Sequence, residues 1–225
     1  MSLLGSKGAY EAHFEVRRLV RWWSVLLLLM AALRVDVAWG AAAPSPVLLV
    51  LGDSLSSAFG IDVEAGWVRL LQERLDQQGR AYRVVNASIS GATTAAGLAR
   101  LPQALAVHQP VVVLVELGGN DGLRGLDLGD TRRNLEEMVR HIRESGAQVL
   151  LVGMRIPPNY GFAYSERFHG IYREVAARFE APLVPFLLAG VADDRQLMQG
   201  DGIHPKASAQ ERILENVWPY LKDLL

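Results

Sequence analysis

Apolar residues along this chain keep two alternating rhythms. Short β-branched runs alternate with longer stretches whose apolar residues recur every three or four positions. The first rhythm predicts buried strands and the second amphipathic helices. Strands are expected at Val47–Leu51, Tyr82–Asn86, Val111–Leu117, Gln148–Met154 and, briefly, Leu183–Val184. Val111–Leu117 is the most apolar, broken only by Glu116, and is expected to be central.

Between the strands, Trp67, Leu70, Leu71 and Leu75 share one face of a helix that Gly79 should end. A second helix is expected near Thr94–Ala106, kinked or restarted at Pro102. After a loop over Gly118–Gly129, Asp130 reads as the N-cap of a third, with Leu135, Met138, Val139 and Ile142 at helical spacing. Ile156–Gly161, with two prolines, reads as a loop. Phe168, Ile171, Tyr172, Val175 and Phe179 make a stripe over Tyr164–Phe179. A last helix should run from near Pro205 to a stop or kink at Pro219. Strands alternating with helices predict an α/β fold, a three-layer α/β/α sandwich around a five-stranded parallel sheet of flavodoxin type.

The N-terminus breaks this pattern. Arg17, Arg18 and Arg21 precede the apolar run Val25–Leu33, and the small residues Gly40-Ala41-Ala42-Ala43 follow. A basic region, a short apolar core and a small-residue stretch read as a secretory signal. An uncleaved membrane anchor is the alternative, and either predicts export to the periplasm or medium. The expected division is a leader over 1–43 and one domain over 44–225, with no stable membrane span in the mature part.

Composition narrows the chemistry. The net charge is −1 and no basic cluster lies in the body of the chain, so nucleic acid is not an expected partner. There is no cysteine, which removes disulfides, thiolate metal sites and a cysteine nucleophile. No cofactor or metal is expected, and nothing calls for more than a monomer.

Open parallel sheets bind ligands beyond the carboxyl ends of their strands. Strand one delivers Ser54 there, strand two Gly91, and strand three Asn120. Gly200-Asp201-Gly202-Ile203-His204-Pro205, after the fifth strand, returns to the same edge. A serine hydroxyl needs a base, and His204 is the candidate, with Asp201 to orient it. Pro205 keeps His204 out of helical conformation. The N–H groups of Ser54 and Gly91 and the Asn120 amide are the candidate oxyanion donors. Each has a plainer reading: Ser54 as a helix cap, Asn120-Asp121 and Gly91 as turns. The four pieces together outweigh those. Asp53 is expected to tie its turn by backbone hydrogen bonds, Asp121 to be structural, and His141 and His169, off their helices' stripes, to be solvated.

These blocks, GDSLS, NASISGATTAAGLARLP, LGGND and DGIHP, resemble the SGNH or GDSL hydrolase family, and its exported thioesterase, arylesterase and lysophospholipase branch in particular. GGNDGLRGL, IPPNYG and PLVPFLL add to the likeness, which covers about residues 47–225. It implies a serine esterase acting on small-molecule acyl esters, thioesters or lysophospholipids. Gly122–Leu126 and Ile156–Tyr160 are then the walls of an acyl site, with Leu123, Ile156 and Pro157 as its substrate-binding residues. Ser57-Ala58-Phe59 departs from the small-glycine-aromatic sequence usual in the family, and Lys206 stands where a neutral polar residue is common. A carbohydrate O-acetyl esterase is the competing enzymatic reading, and a non-enzymatic binding domain the other. An α/β-hydrolase nucleophile elbow is excluded, because Gly52-x-Ser54-x-Ser56 lacks its second glycine.

Overall fold

The computed structural model describes residues 45–225. The expected leader and the 43/44 division lie outside them or at their margin. Five strands form one parallel sheet in the order β2-β1-β3-β4-β5. They are β1 (Val47–Gly52), β2 (Arg83–Asn86), β3 (Val112–Glu116), β4 (Gln148–Val152) and β5 (Leu183–Val184). Every residue of β1 and β3 is buried, while β2, at an edge, is half exposed. This is the signature of central strands covered on both faces.

Among the described residues six α-helices accompany them, five between strands and one after β5: α1 (Trp67–Gln77), α2 (Thr94–His108), α3 (Gly119–Leu123), α4 (Leu128–Glu144), α5 (Phe162–Phe179) and α6 (Gln210–Leu221). α1 packs with α6, and α2, α4 and α5 pack in series, so helices cover both faces of the sheet. The three-layer α/β/α expectation holds. Among the described residues no helix is long and apolar enough to cross a membrane.

Several details differ from expectation. Asp127, not Asp130, caps α4, its side chain accepting from the Asp130 N–H at 2.9 Å. Two aspartates three apart offer the same capping chemistry, and Asp130 instead places its charge in the first turn, where the helix dipole favours it. Pro102 lies inside an unbroken α2, and Pro219 lies in α6 two residues before its end. The segment Gly118–Gly129 is not all loop, since it holds the one-turn helix α3. α6 starts at Gln210, after a 3-10 turn at Ala207–Ala209.

The chain leaves β1 for β2 on one side of the sheet and crosses back to β3 on the other. The connections from β1 and β3 therefore diverge, which opens a crevice at their carboxyl ends.

Candidate active site

Ser54 emerges at that crevice two residues beyond β1. Its Oγ lies 2.9 Å from His204 Nε2. His204 Nδ1 lies 2.7 Å from Asp201 Oδ2, and Asp201 Oδ1 accepts the N–H groups of Ile203 and His204 at 2.9 and 3.0 Å. A carboxylate at Nδ1 fixes the proton on that nitrogen and leaves the Nε2 lone pair for the hydroxyl. Burial, the largest single influence on the Asp201 carboxyl, works to raise its pKa. The His204 and Ile203 N–H groups and the His204 ring outweigh it and bring the value down to about 2.

The loop carrying Asp201 and His204 is closed by Gln199. Its N–H donates to the His204 carbonyl at 2.7 Å. Its side-chain amide donates to the carbonyls of Phe59 at 2.8 Å and Pro205 at 3.0 Å. The His204 loop is thereby tied to the chain just after Ser54. The Phe59 ring also packs on the imidazole, with centroids 4.4 Å apart.

Asn120 sits in α3, directly after β3, and its Nδ2 donates to Asp53 Oδ2 at 3.0 Å. One amide hydrogen is thus used and the other is free to turn toward the crevice. Asp53 Oδ1 accepts the Leu55 N–H at 3.0 Å, as expected of a turn-tying aspartate. Behind Asp53 lies Glu116, fully buried at the end of β3. Its Oε2 accepts from Ser56 Oγ at 2.6 Å and from the Asp53 N–H at 3.2 Å. Burial, then the neighbouring Asp53 charge, raise the Glu116 pKa well above its ordinary value. Burial also lifts Asp53, to about 6, against the hydrogen bonds from Leu55, Asn120 and Glu116. Of the two, Glu116 is the one held further toward its protonated form.

Gly91 follows β2 with φ of +78°, a conformation that favours glycine. Among the described residues, neither its N–H nor that of Ser54 has a protein acceptor. Two unengaged backbone donors and one side-chain N–H are the raw material of an oxyanion site.

A cavity of about 880 Å³ opens from Ser54 and His204. Leu123, Ile156 and Pro157, the three substrate-site candidates, line it with Met154, Phe186 and Leu188. Tyr160 and Tyr164 brace its wall by donating to the carbonyls of Leu123 and Gly122. Phe162, 81% exposed, stands at the opening and gave no signal in the sequence. His169 corrects an expectation: it is buried, not solvated, and also lines the cavity, with Nδ1 3.1 Å from the Met154 carbonyl. His141 is half-buried. Asp121 is buried and accepts from the Thr94 N–H and hydroxyl, tying α3 to the start of α2.

Known proteins are similar to this chain over most of its length. Residues 50–212 match the model of the GDSL-like lipase/acylhydrolase family. The chain is 55% identical to esterase TesA of Pseudomonas aeruginosa, over 81% of this chain and 91% of that protein. It is 44% identical to thioesterase 1/protease 1/lysophospholipase L1 of Escherichia coli strain K12, over 82% of this chain and 87% of that one. The crystal structure of the psychrotrophic esterase EstA from Pseudoalteromonas superposes with a TM-score of 0.76 at 38% identity, covering 79% of this chain and 97% of that one. With motif order, fold and sequence in agreement, this chain belongs to the GDSL-like lipase/acylhydrolase family.

Proposed function

We propose that the protein is an exported serine hydrolase of carboxylic esters and thioesters, working through an acyl-enzyme on Ser54. The observation that carries this reading is the hydrogen-bonded line from Ser54 Oγ to His204 Nε2 and from His204 Nδ1 to Asp201. Ser54 Oγ attacks the acyl carbonyl as its proton passes to His204 Nε2. Asp201 stabilises the imidazolium that results. The oxyanion takes hydrogen bonds from the N–H groups of Ser54 and Gly91 and from the free amide hydrogen of Asn120. His204 then protonates the departing alcohol or thiol oxygen or sulfur, leaving the acyl group on Ser54. Water attacks that ester with His204 again as base, and the free acid and the hydroxyl are restored.

The cavity favours acyl chains over sugars. Leu123, Met154, Ile156, Pro157, Phe186 and Leu188 present an apolar lining beside the hydroxyl, which gains from burying methylenes. The names of the relatives, esterase and thioesterase 1/lysophospholipase L1, agree with acyl esters, thioesters and lysophospholipids as the substrate class. The arginines and apolar run before residue 40 support export through a cleaved leader.

A chain-length series of p-nitrophenyl esters and acyl thioesters tests the reading. Ser54→Ala is expected to lower kcat by about 10⁵ or more. Asn120→Ala is expected to cost about 10²–10³. Undiminished turnover by the Ser54→Ala protein refutes the mechanism. Faster turnover of an acetylated sugar than of medium-chain esters refutes the acyl preference.

A further inference from the structure

Arg124 stands four residues beyond Asn120, and its backbone N–H donates to the Asn120 carbonyl at 3.1 Å. That spacing on a helical turn puts the two side chains on one face. The Arg124 side chain is exposed and reaches across from the connection after β3 to the connection after β2. There its Nη2 donates to the Gly91 carbonyl at 3.0 Å, and the same nitrogen lies 3.4 Å from Asn120 Oδ1. A Cβ on Gly91 would come within 3.4 Å of that nitrogen.

Resting on the oxyanion assignment above, we propose that Arg124 is a positioning residue of the oxyanion site. It holds two of the three donors, on two separate loops, in one fixed relation. Three observations build the case. Gly91 and Asn120 come from different strand ends, and no direct hydrogen bond joins them among the described residues. Asp121 ties α3 to Thr94, three residues beyond Gly91, but the group that reaches both donor residues themselves is the Arg124 guanidinium. Second, the Asn120 amide is gripped at both ends. Asp53 takes one N–H and Arg124 faces the oxygen. A cation at Oδ1 fixes which end of the amide is nitrogen, and polarises the group so that its remaining N–H is a better donor. Third, the bond to the Gly91 carbonyl pins a residue whose left-handed conformation sets where its own N–H points. A donor displaced by a fraction of an ångström loses much of its effect on a developing charge. Arg124 does not itself touch the reacting atoms. Its contribution passes through the two donors.

The test is a double-mutant cycle on a soluble short-chain p-nitrophenyl ester, with kcat and KM measured separately. Arg124→Ala is expected to lower kcat about 20-fold with KM changed less than about twofold, because donors matched to the transition state are lost and ground-state binding is not. In the Asn120→Ala background the same change is expected to cost only about threefold, since residues that act through one another are not additive. Arg124→Lys, which keeps a donor on a shorter reach, is expected to recover part of kcat. Three results would each overturn the proposal: a parental kcat for Arg124→Ala, the same fold loss in both backgrounds, or a rise in KM at constant kcat, which would make Arg124 a substrate contact. Because Arg124 is exposed, its replacement leaves the melting temperature near the parent's, which separates positioning from folding. Ser54→Ala in the same assay keeps the two readings apart. Loss of turnover there with a parental Arg124→Ala rejects the bridge and leaves the serine mechanism standing.

Discussion

Ser54 and His204 approach to 2.9 Å from contrasting surroundings. Ser54 follows a strand in which every residue from Val47 to Gly52 is buried, and its turn rests on the buried carboxyl groups of Asp53 and Glu116. His204 comes from an exposed loop in which the Asp201 side chain is 40% accessible. That loop is held by its own short hydrogen bonds, Asp201 to the N–H groups of Ile203 and His204, and Gln199 to the His204 carbonyl. The hydroxyl's position is thus a product of the whole core, and the imidazole's a product of about six neighbouring residues and one tie to Phe59. Damage to the first half should appear as lost stability, and damage to the second as lost activity in a protein that still folds.

The largest effect expected on the loop side is on rate. Asp201→Asn keeps the shape of the loop but presents an amide to His204 Nδ1, which upsets the tautomer, and kcat should fall about 10⁴-fold. The melting temperature should move by only a few degrees, because the group is surface-exposed. A large loss of stability together with the loss of rate would break the contrast.

Next come two glycines, one in each half. A Cβ on Gly52 would lie 2.6 Å from Glu116 Oε2, 2.8 Å from Ser88 Oγ and 2.9 Å from Ser56 Cβ. Glu116 and Ser56 are buried and cannot yield freely. Gly52→Ala should cost roughly 2–3 kcal/mol through overpacking, which for a domain of this size lowers the melting temperature by about 5–10 °C. At Gly200 an added Cβ meets nothing within 4 Å, and Gly200→Ala should stay within about 0.5 kcal/mol of the parent. Thermal denaturation of the two variants side by side gives the answer, and equal shifts would show that the halves are not held differently.

Much of this is legible in the amino-acid sequence. The strands announced themselves because a parallel sheet buried on both faces needs short, unbroken apolar runs, and those runs are local. Ser54, Asn120, Asp201 and His204 were legible because the topology sends every strand's carboxyl end to one edge. What the sequence left hidden is set by contacts between distant residues. His169 lies off the stripe of α5, but the cavity claims a second face of that helix. Asp127 and Asp130 are both competent caps, and only the entry path of the chain chooses between them. The tie from Gln199 to Phe59 spans 140 residues and that from Asn120 to Asp53 spans 67. Glu116 gave a hint, as the lone acid in an apolar run, though not of its partner.

Glu116 offers a smaller test of the buried half, through pH. In the unfolded chain it loses its proton near its ordinary value of 4.5; in the fold, burial and the Asp53 charge hold the proton well above that. Between the two values folding takes up a proton, so the contribution is fully present below pH 4.5 and is lost as pH rises toward the folded value. Glu116→Gln keeps an acceptor for the Ser56 hydroxyl and the Asp53 N–H and has no proton to lose. The variant should therefore melt a few degrees above the parent at pH 8 and level with it at pH 4. A parent that gains stability relative to the variant as pH rises would show that Glu116 is ionised in the fold.

The smallest effect belongs where the two halves touch. Ala58, between the nucleophile's turn and Phe59, has φ of +60°, a conformation that costs an alanine about 1–2 kcal/mol relative to glycine. Its methyl group is buried and lies 3.0 Å from where a Cβ on Gly66 would stand. Ala58→Gly relieves the strain, forfeits about 0.8 kcal/mol of methyl burial and gives the unfolded chain more freedom. With the strain at its upper end of about 2 kcal/mol and about 0.7 kcal/mol for the unfolded chain's freedom, the net expected gain is about 0.5 kcal/mol, seen as a rise of one or two degrees in melting temperature. Phe59, the next residue, accepts the Gln199 bond and covers the His204 ring. A freer residue 58 loosens that cover, so kcat should fall about twofold even as stability rises. A fall in melting temperature would mean that the methyl's packing outweighs the strain, and that even at this junction the core sets the terms.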